Sequence, residues 1–141
     1  MGQGLVLLAV VVVAATAYGL WHRASSGRMR TTRATDVQEP AFGEADLGGP
    51  LGERATLVQF SSAFCAPCRA TRRVLDQAAS QVEGVRHVEI DAESNLDLVR
   101  RLDVRKTPTV FVLDSRGAVV RRAVGQPRMP DVVAALGEAV R

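Results

Sequence analysis

The chain has 141 residues, 47% hydrophobic and 23% charged, which is enough for one core with a short appendage and too little for a second independent core. Aromatic residues make up 4%, with a single Trp and a single Tyr, so a base-stacking surface has almost nothing to build it and nucleic acid is set aside as a ligand. The formal charge is +3, but the first 40 residues hold 4 basic and 2 acidic side chains, and the remainder is balanced at 14 against 13. No electrostatic partner follows from this. Only one of the 18 basic residues is a lysine, Lys106, and no phosphate-binding motif accompanies the arginines, so that bias reads as composition.

Gly4 to Trp21 runs 18 residues without a charge, and at about 1.5 Å rise per residue it spans roughly 27 Å, close to a bilayer core. Tyr18 and Trp21 stand at its end, where amphipathic rings favour the interface, and His22 and Arg23 close the apolar run. A buried core helix fits poorly, since the segment is apolar all round. A cleaved signal peptide is the sharper rival, because Ala15-Thr16-Ala17 is an A-x-A pattern, but MGQG supplies no basic residue before the apolar stretch. Arg23, Arg28, Arg30 and Arg33 all follow it, which places the C-terminal side in the cytoplasm by the positive-inside bias, with an extracytoplasmic domain as the alternative. The expected organisation is a transmembrane anchor over 1–21, a flexible basic tether over 22–40 able to lie on anionic headgroups, and a folded domain over 41–141.

Within that domain, Ala55 to Ser61 reads as a central strand, being short and rich in β-branched and aromatic residues. Pro67 to Val82 reads as a helix, with Val74, Leu75, Ala78, Ala79 and Val82 at helical spacing, Pro67 in the first turn and Gly84 as the stop. Val85 to Asp91 is a second strand, parallel to the first through this crossover. Ser94 and Asp97 suggest a capped short helix with Leu96, Val99 and Leu102 as its apolar face. Thr109–Leu113 and Ala118–Val124 form an antiparallel hairpin across Asp114-Ser115-Arg116-Gly117. Pro130 and Asp131 open a last helix with Val132, Val133, Leu136 and Val140 on one side. The result is an α/β domain, a mixed four-stranded sheet flanked by helices and preceded by one N-terminal transmembrane helix.

Both cysteines lie in one motif, FCAPCR at Phe64 to Arg69, between a predicted strand and helix. A helix N-terminus stabilises a thiolate through its unpaired N–H groups and its dipole, which makes Cys65 the attacking sulfur. Cys68, one turn inward on the same face, is placed to attack a mixed disulfide on Cys65. Pro67 stiffens the turn, and a disulfide across so short a loop adds little stability, so a catalytic role explains the pair better than a structural one.

The strand, C-x-P-C, helix and strand, followed by Thr107-Pro108-Thr109, resemble the thioredoxin family over roughly residues 53–141. VQFSSAFCAPCRA at Val58 to Ala70, VEIDAE at Val88 to Glu93 and KTPTVFVLDSRG at Lys106 to Gly117 carry the likeness. The resemblance implies a cis Thr107–Pro108 bond opposite the cysteines. It also implies a substrate groove lined by Phe64, Ala66, Pro67, Thr107, Pro108, Val124 and Gly125, and a basic residue after the motif, here Arg69. Where the family usually has a buried Asp that relays the resolving thiol's proton, this chain has Gln59, whose neutral amide cannot take it. His87 stands in place of a common lysine, so Gln59 and His87 are the proton-relay candidates. Ser61 and Phe64 replace a Trp pair, and Ala66 replaces the glycine of a C-G-P-C motif, within the dipeptide that tunes potential in this family.

Zinc is a rival for a C-x-x-C pair, but His22 and His87 lack ligand spacing, so no metal is expected. No cofactor is expected either, since no phosphate loop, paired-carboxylate site or Ser-His-Asp arrangement is present. The implied activity is thiol–disulfide exchange through Cys65 and Cys68, as a protein disulfide reductase. Its implied partners are disulfide-containing proteins and a thioredoxin-reductase-type or membrane electron donor. The alternatives are an extracytoplasmic oxidase or maturation reductase, and an inactive thioredoxin-like binding module.

Overall fold

The computed structural model describes residues 2–31 and 41–141. In chain order the elements are α1 (Gly2–Ser25), β1 (Arg30–Thr31), α2 (Glu44–Leu47), β2 (Ala55–Ser61), α3 (Ala66–Gln81), β3 (Val85–Asp91), α4 (Leu96–Arg101), β4 (Thr109–Asp114), β5 (Val119–Val124) and α5 (Met129–Ala139). The sheet order is β1-β5-β4-β2-β3. β2 lies parallel to β3 and antiparallel to β4, and β4 and β5 form an antiparallel hairpin. These four strands are the mixed sheet of a thioredoxin-like fold, and the two-residue β1 extends it at the β5 edge.

β2 is buried along its whole length, as a strand covered on both faces must be. Its alternate side chains point into two cores. Ala55 and Leu57 join Leu75 and Ala78 of α3, Val110 and Val112 of β4, and Val132, Ala135 and Leu136 of α5. Val58 and Phe60 face the other way, toward Phe42, Leu47, Val88, Ile90, Leu98 and Phe111. There the Phe42 ring meets Phe111 at 5.4 Å between centroids and Phe60 meets Phe111 at 5.8 Å, separations at which edge-to-face aromatic packing is favourable.

The hairpin forms where the turn composition places it. Asp114 Oδ1 accepts from the backbone N–H groups of Arg116 at 2.9 Å and Ala118 at 3.0 Å, and Gly117 adopts φ 87°, a conformation glycine takes without a Cβ clash. Two helix details differ from the sequence expectation. Ser94 does not cap α4: its hydroxyl donates to Asp91 Oδ2, and Asn95 occupies the N-cap. Leu98 is the buried anchor of α4, with Val99 and Leu102 packed on the core beside it as expected, while Leu96 is 53% exposed. In α5 the buried residues are Val132, Ala135, Leu136 and Ala139, and Val133 faces solvent.

α1 is long and apolar enough to cross a bilayer, a property that membrane anchors and signal sequences share, and none of it is buried against the rest of the chain. It continues four residues past Trp21 to Ser25, where Ser25 and Ser26 hydroxyls donate to His22 O. The first part of the expected tether is therefore structured. Gly27 N donates to Val124 O at 2.7 Å, and Arg30 and Thr31 register with Arg122 and Arg121, because the outer edge of β5 offers ladder groups that a passing strand can satisfy. Residues 32–40, the rest of that tether, lie outside the described residues.

Candidate functional site

α3 begins at Ala66 because Pro67 suits its first turn and Cys65 occupies the N-cap, with Cys68 N–H donating to Cys65 Sγ at 3.2 Å. Cys68, Thr71, Leu75 and Ala78 then turn inward. Cys65 and Cys68 are joined as a disulfide with a Cα separation of 5.2 Å. The two sulfurs differ in access: Cys68 is 2% exposed, whereas Cys65 is half-buried. Just before them Phe64 takes φ 59° and is fully exposed. A left-handed turn at a bulky residue costs on the order of 1–2 kcal/mol, and here it throws the ring outward beside Cys65.

The residues expected to line a groove gather at this same end of the sheet. The Thr107–Pro108 peptide bond is cis, Thr109 registers with Phe60 on one side and Val124 on the other, and Gly125 N donates to Pro108 O at 2.8 Å. Ser62 Oγ and Thr107 Oγ1 lie 2.8 Å apart, tying the segment before the cysteines to the proline step. Phe64, Ala66, Pro67 and Val124 are exposed, Thr107 and Gly125 are half-buried, and Pro108 is buried.

Beneath the disulfide, Gln59 is fully buried. Its Nε2 donates to Cys68 O at 2.8 Å and to Ser61 Oγ at 2.9 Å, while Oε1 has no partner. Parallel pairing sets Gln59 beside Glu89 and Ser61 beside Asp91, so Glu89 points to the α3 side of the sheet. There Arg72 holds it in a two-point pair, with Nη2 donating to Oε1 at 2.6 Å and Nε donating to Oε2. The Arg72 hydrogen bonds, with smaller help from the Ser61 hydroxyl, keep the Glu89 carboxyl below its ordinary range against the opposing effect of burial. Glu89, Arg72, Arg69, Ser61, Ser62 and Phe64 line, with both cysteines, a cleft of about 310 Å³.

His87 takes a different position. It registers with Leu57, and its Nδ1 lies 2.5 Å from Asp76 Oδ1, one helical turn beyond Arg72. It does not line the dithiol cleft. α3 thus presents Cys68, Arg72 and Asp76 at i, i+4 and i+8, and Arg72 and Asp76 meet Glu89 and His87 of β3. Glu89 and Arg72 are absent from the residues that the sequence singles out. The signal was present in Glu89 standing two residues from His87 on one strand face and Arg72 four residues from Cys68 on one helix face. Among the described residues no group of three or more His, Cys, Asp or Glu side chains is arranged to hold a metal ion.

Residues 50–137 match the Thioredoxin family. The chain belongs to the thioredoxin family. Thioredoxin H4-1 of Oryza sativa subsp. japonica is 31% identical over 97 residues, covering 67% of this chain and 70% of its own. Thioredoxin 1 of Nostoc sp. is 31% identical over 93 residues, covering 65% and 83%. Among solved structures, chloroplastic thioredoxin z aligns with a TM-score of 0.55 at 26% identity over 62% of this chain and 79% of its own. A mutant thioredoxin from Halobacterium salinarum gives 0.57 at 22% identity over 63% and 77%, a likeness of fold. A thioredoxin domain carrying a Cys-x-x-Cys pair is consistent with thiol–disulfide oxidoreductase chemistry.

Proposed function

We propose that the chain is a membrane-anchored protein disulfide reductase, with Cys65 as nucleophile and Cys68 as resolving thiol. The observation that carries this reading is the unequal access of two sulfurs at one helix start: Cys65 is reachable and sits on the N-cap, while Cys68 is buried. In the reduced protein the Cys68 N–H and the α3 dipole favour a thiolate on Cys65. That thiolate attacks a substrate disulfide, forming a Cys65–substrate bond and expelling one substrate thiolate. The Cys68 sulfur then attacks Cys65, closing the intramolecular disulfide and releasing the second substrate thiolate, so two electrons pass to the substrate. Glu89, ionised beside the cleft, is the group proposed to accept the Cys68 proton and return it to the leaving sulfur, since the Gln59 amide cannot. Phe64, Ala66, Pro67, Thr107, Pro108, Val124 and Gly125 are the proposed substrate groove.

The proposed partners are proteins with accessible disulfides and a thioredoxin-reductase-type or membrane electron donor. Arg23, Arg28, Arg30 and Arg33 support a cytoplasmic domain, where a reducing direction is expected. Insulin reduction is expected for the wild-type chain and its loss for Cys65→Ser, with Cys68→Ser accumulating a mixed disulfide. Equal turnover by wild type and Cys65→Ser would remove the catalytic reading. A membrane-impermeant thiol reagent on intact cells is expected to leave reduced Cys65 unlabelled, and labelling would move the domain to the other side.

A further inference from the structure

The segment that follows α1 does not leave the domain free to tumble below its anchor. Ser25 ends the helix, and two residues later Gly27 N bonds Val124 O at 2.7 Å. Gly27 adopts φ 80°, and a Cβ there would drive into the Gln126 carbonyl oxygen. The chain can therefore lie this close to the Val124–Gly125 turn only as glycine. Gly125 in turn has Gly27 N and Ser26 Cβ near its own Cβ position, at 3.2 and 3.4 Å. From this point the segment runs antiparallel to β5, away from the cysteines, with Arg30 beside Arg122 and Thr31 beside Arg121, while Met29 packs on the core beneath α3 and α5. The helix thus departs from the end of the sheet that holds Thr107–Pro108, Val124–Gly125 and the cysteines.

Resting on the membrane-anchor reading above, we propose that this docking holds the dithiol end of the domain against the bilayer surface, so that the disulfide it serves is one carried by a membrane protein near the headgroups. Distances support this occupant. Trp21 to Ser25 rises about 6 Å along the helix, and two further residues reach at most about 7 Å. The wall of the groove therefore lies at most about 15 Å from the Trp21 level, no more than about 10 Å beyond a headgroup layer some 5–8 Å thick. The surface turned toward the membrane includes Phe64, fully exposed, and Val124, 41% exposed, apolar groups suited to the flank of a membrane-embedded partner rather than to bulk water.

The test uses the full chain in phospholipid nanodiscs containing a lipid with a headgroup nitroxide quencher. One fluorophore is placed on Cys65 in the Cys68→Ser variant, and a second on a Ser115→Cys variant carrying Cys65→Ser and Cys68→Ser, at the β4–β5 turn. That turn lies one strand length away, about 20 Å, so the Cys65 probe is expected to be quenched several-fold more strongly. A ten-residue Gly-Ser insertion between Ser25 and Ser26 combined with Gly27→Val is expected to erase the difference while insulin reduction, measured with both cysteines present, is unchanged. Equal quenching of the two probes, or stronger quenching at the turn, while the unlabelled wild-type chain in the same nanodiscs reduces insulin, overturns this orientation alone. Loss of insulin reduction in the wild-type chain overturns the functional reading instead.

Discussion

Replacing Gln59 with Asp puts a carboxyl in a place where no solvent reaches it. Gln59 is fully buried, its amide nitrogen serves Cys68 O and Ser61 Oγ, and its own oxygen is unpartnered. A carboxylate there would point toward a carbonyl oxygen in a dry site, so the neutral acid is the form the fold accepts. Full burial raises a carboxyl pKa by up to about 3–5 units. Taking the lower figure, because the Ser61 hydroxyl is at hand as a donor, and about 1.4 kcal/mol per unit, the charged form is disfavoured by roughly 4 kcal/mol. The sign follows from linkage. Because the folded pKa lies above the unfolded value near ~3.9, the penalty is absent below about pH 4, grows as pH rises, and is complete above about pH 7. Urea unfolding of oxidised wild type and Gln59→Asp from pH 4 to pH 8 is expected to show their stability gap widening by about 4 kcal/mol. A gap that stays constant over this range would mean the position is wet or otherwise charge-tolerant, and the account of a dry amide beneath the disulfide would be wrong.

Glu89→Gln is expected to act in the opposite pH direction: since Arg72 first of all holds that carboxyl low, its contribution to stability is present above about pH 4–5 and lost as pH falls through the lowered value. Thermal unfolding across pH should therefore separate wild type from the variant at pH 7 and bring them together in acid. Phe111→Ala removes the ring that touches both Phe42 and Phe60 and is expected to cost about 3–5 kcal/mol in urea unfolding. Asp114→Ala strips two backbone N–H groups of their acceptor in the hairpin turn, with an expected loss of about 1–2 kcal/mol by the same measurement.

Most of the domain was legible because its signals are local. Ala55–Ser61 and Val85–Asp91 stand where the β-branched runs end at Gly and at the cysteine motif, and the Asp114–Gly117 turn is written in its residue types. What the sequence hid depends on partners distant along the chain. Glu89 looks like one charge in an alternating strand until parallel register sets it beside Gln59 and α3 delivers Arg72. The pairing of Arg30–Thr31 with β5 carries no local mark either, because a two-residue strand has no period and its place is fixed by an edge formed some ninety residues later. Ser94 is a local case instead: Asp91, three residues earlier, accepts its hydroxyl, which leaves the N-cap of α4 to Asn95.

The far margin of the sheet tells a different story from the β5 side. β3 is the last strand in the order, and among the described residues its outer ladder groups meet no neighbouring strand. Along it stand Arg86, His87, Glu89 and Asp91. A second copy stacking there in antiparallel fashion would have to bring ionised groups together and strip them of water before gaining a single main-chain bond. The guard holds charge of both signs, Arg86 against Glu89 and Asp91, so the rim is hostile to polymerisation along its length.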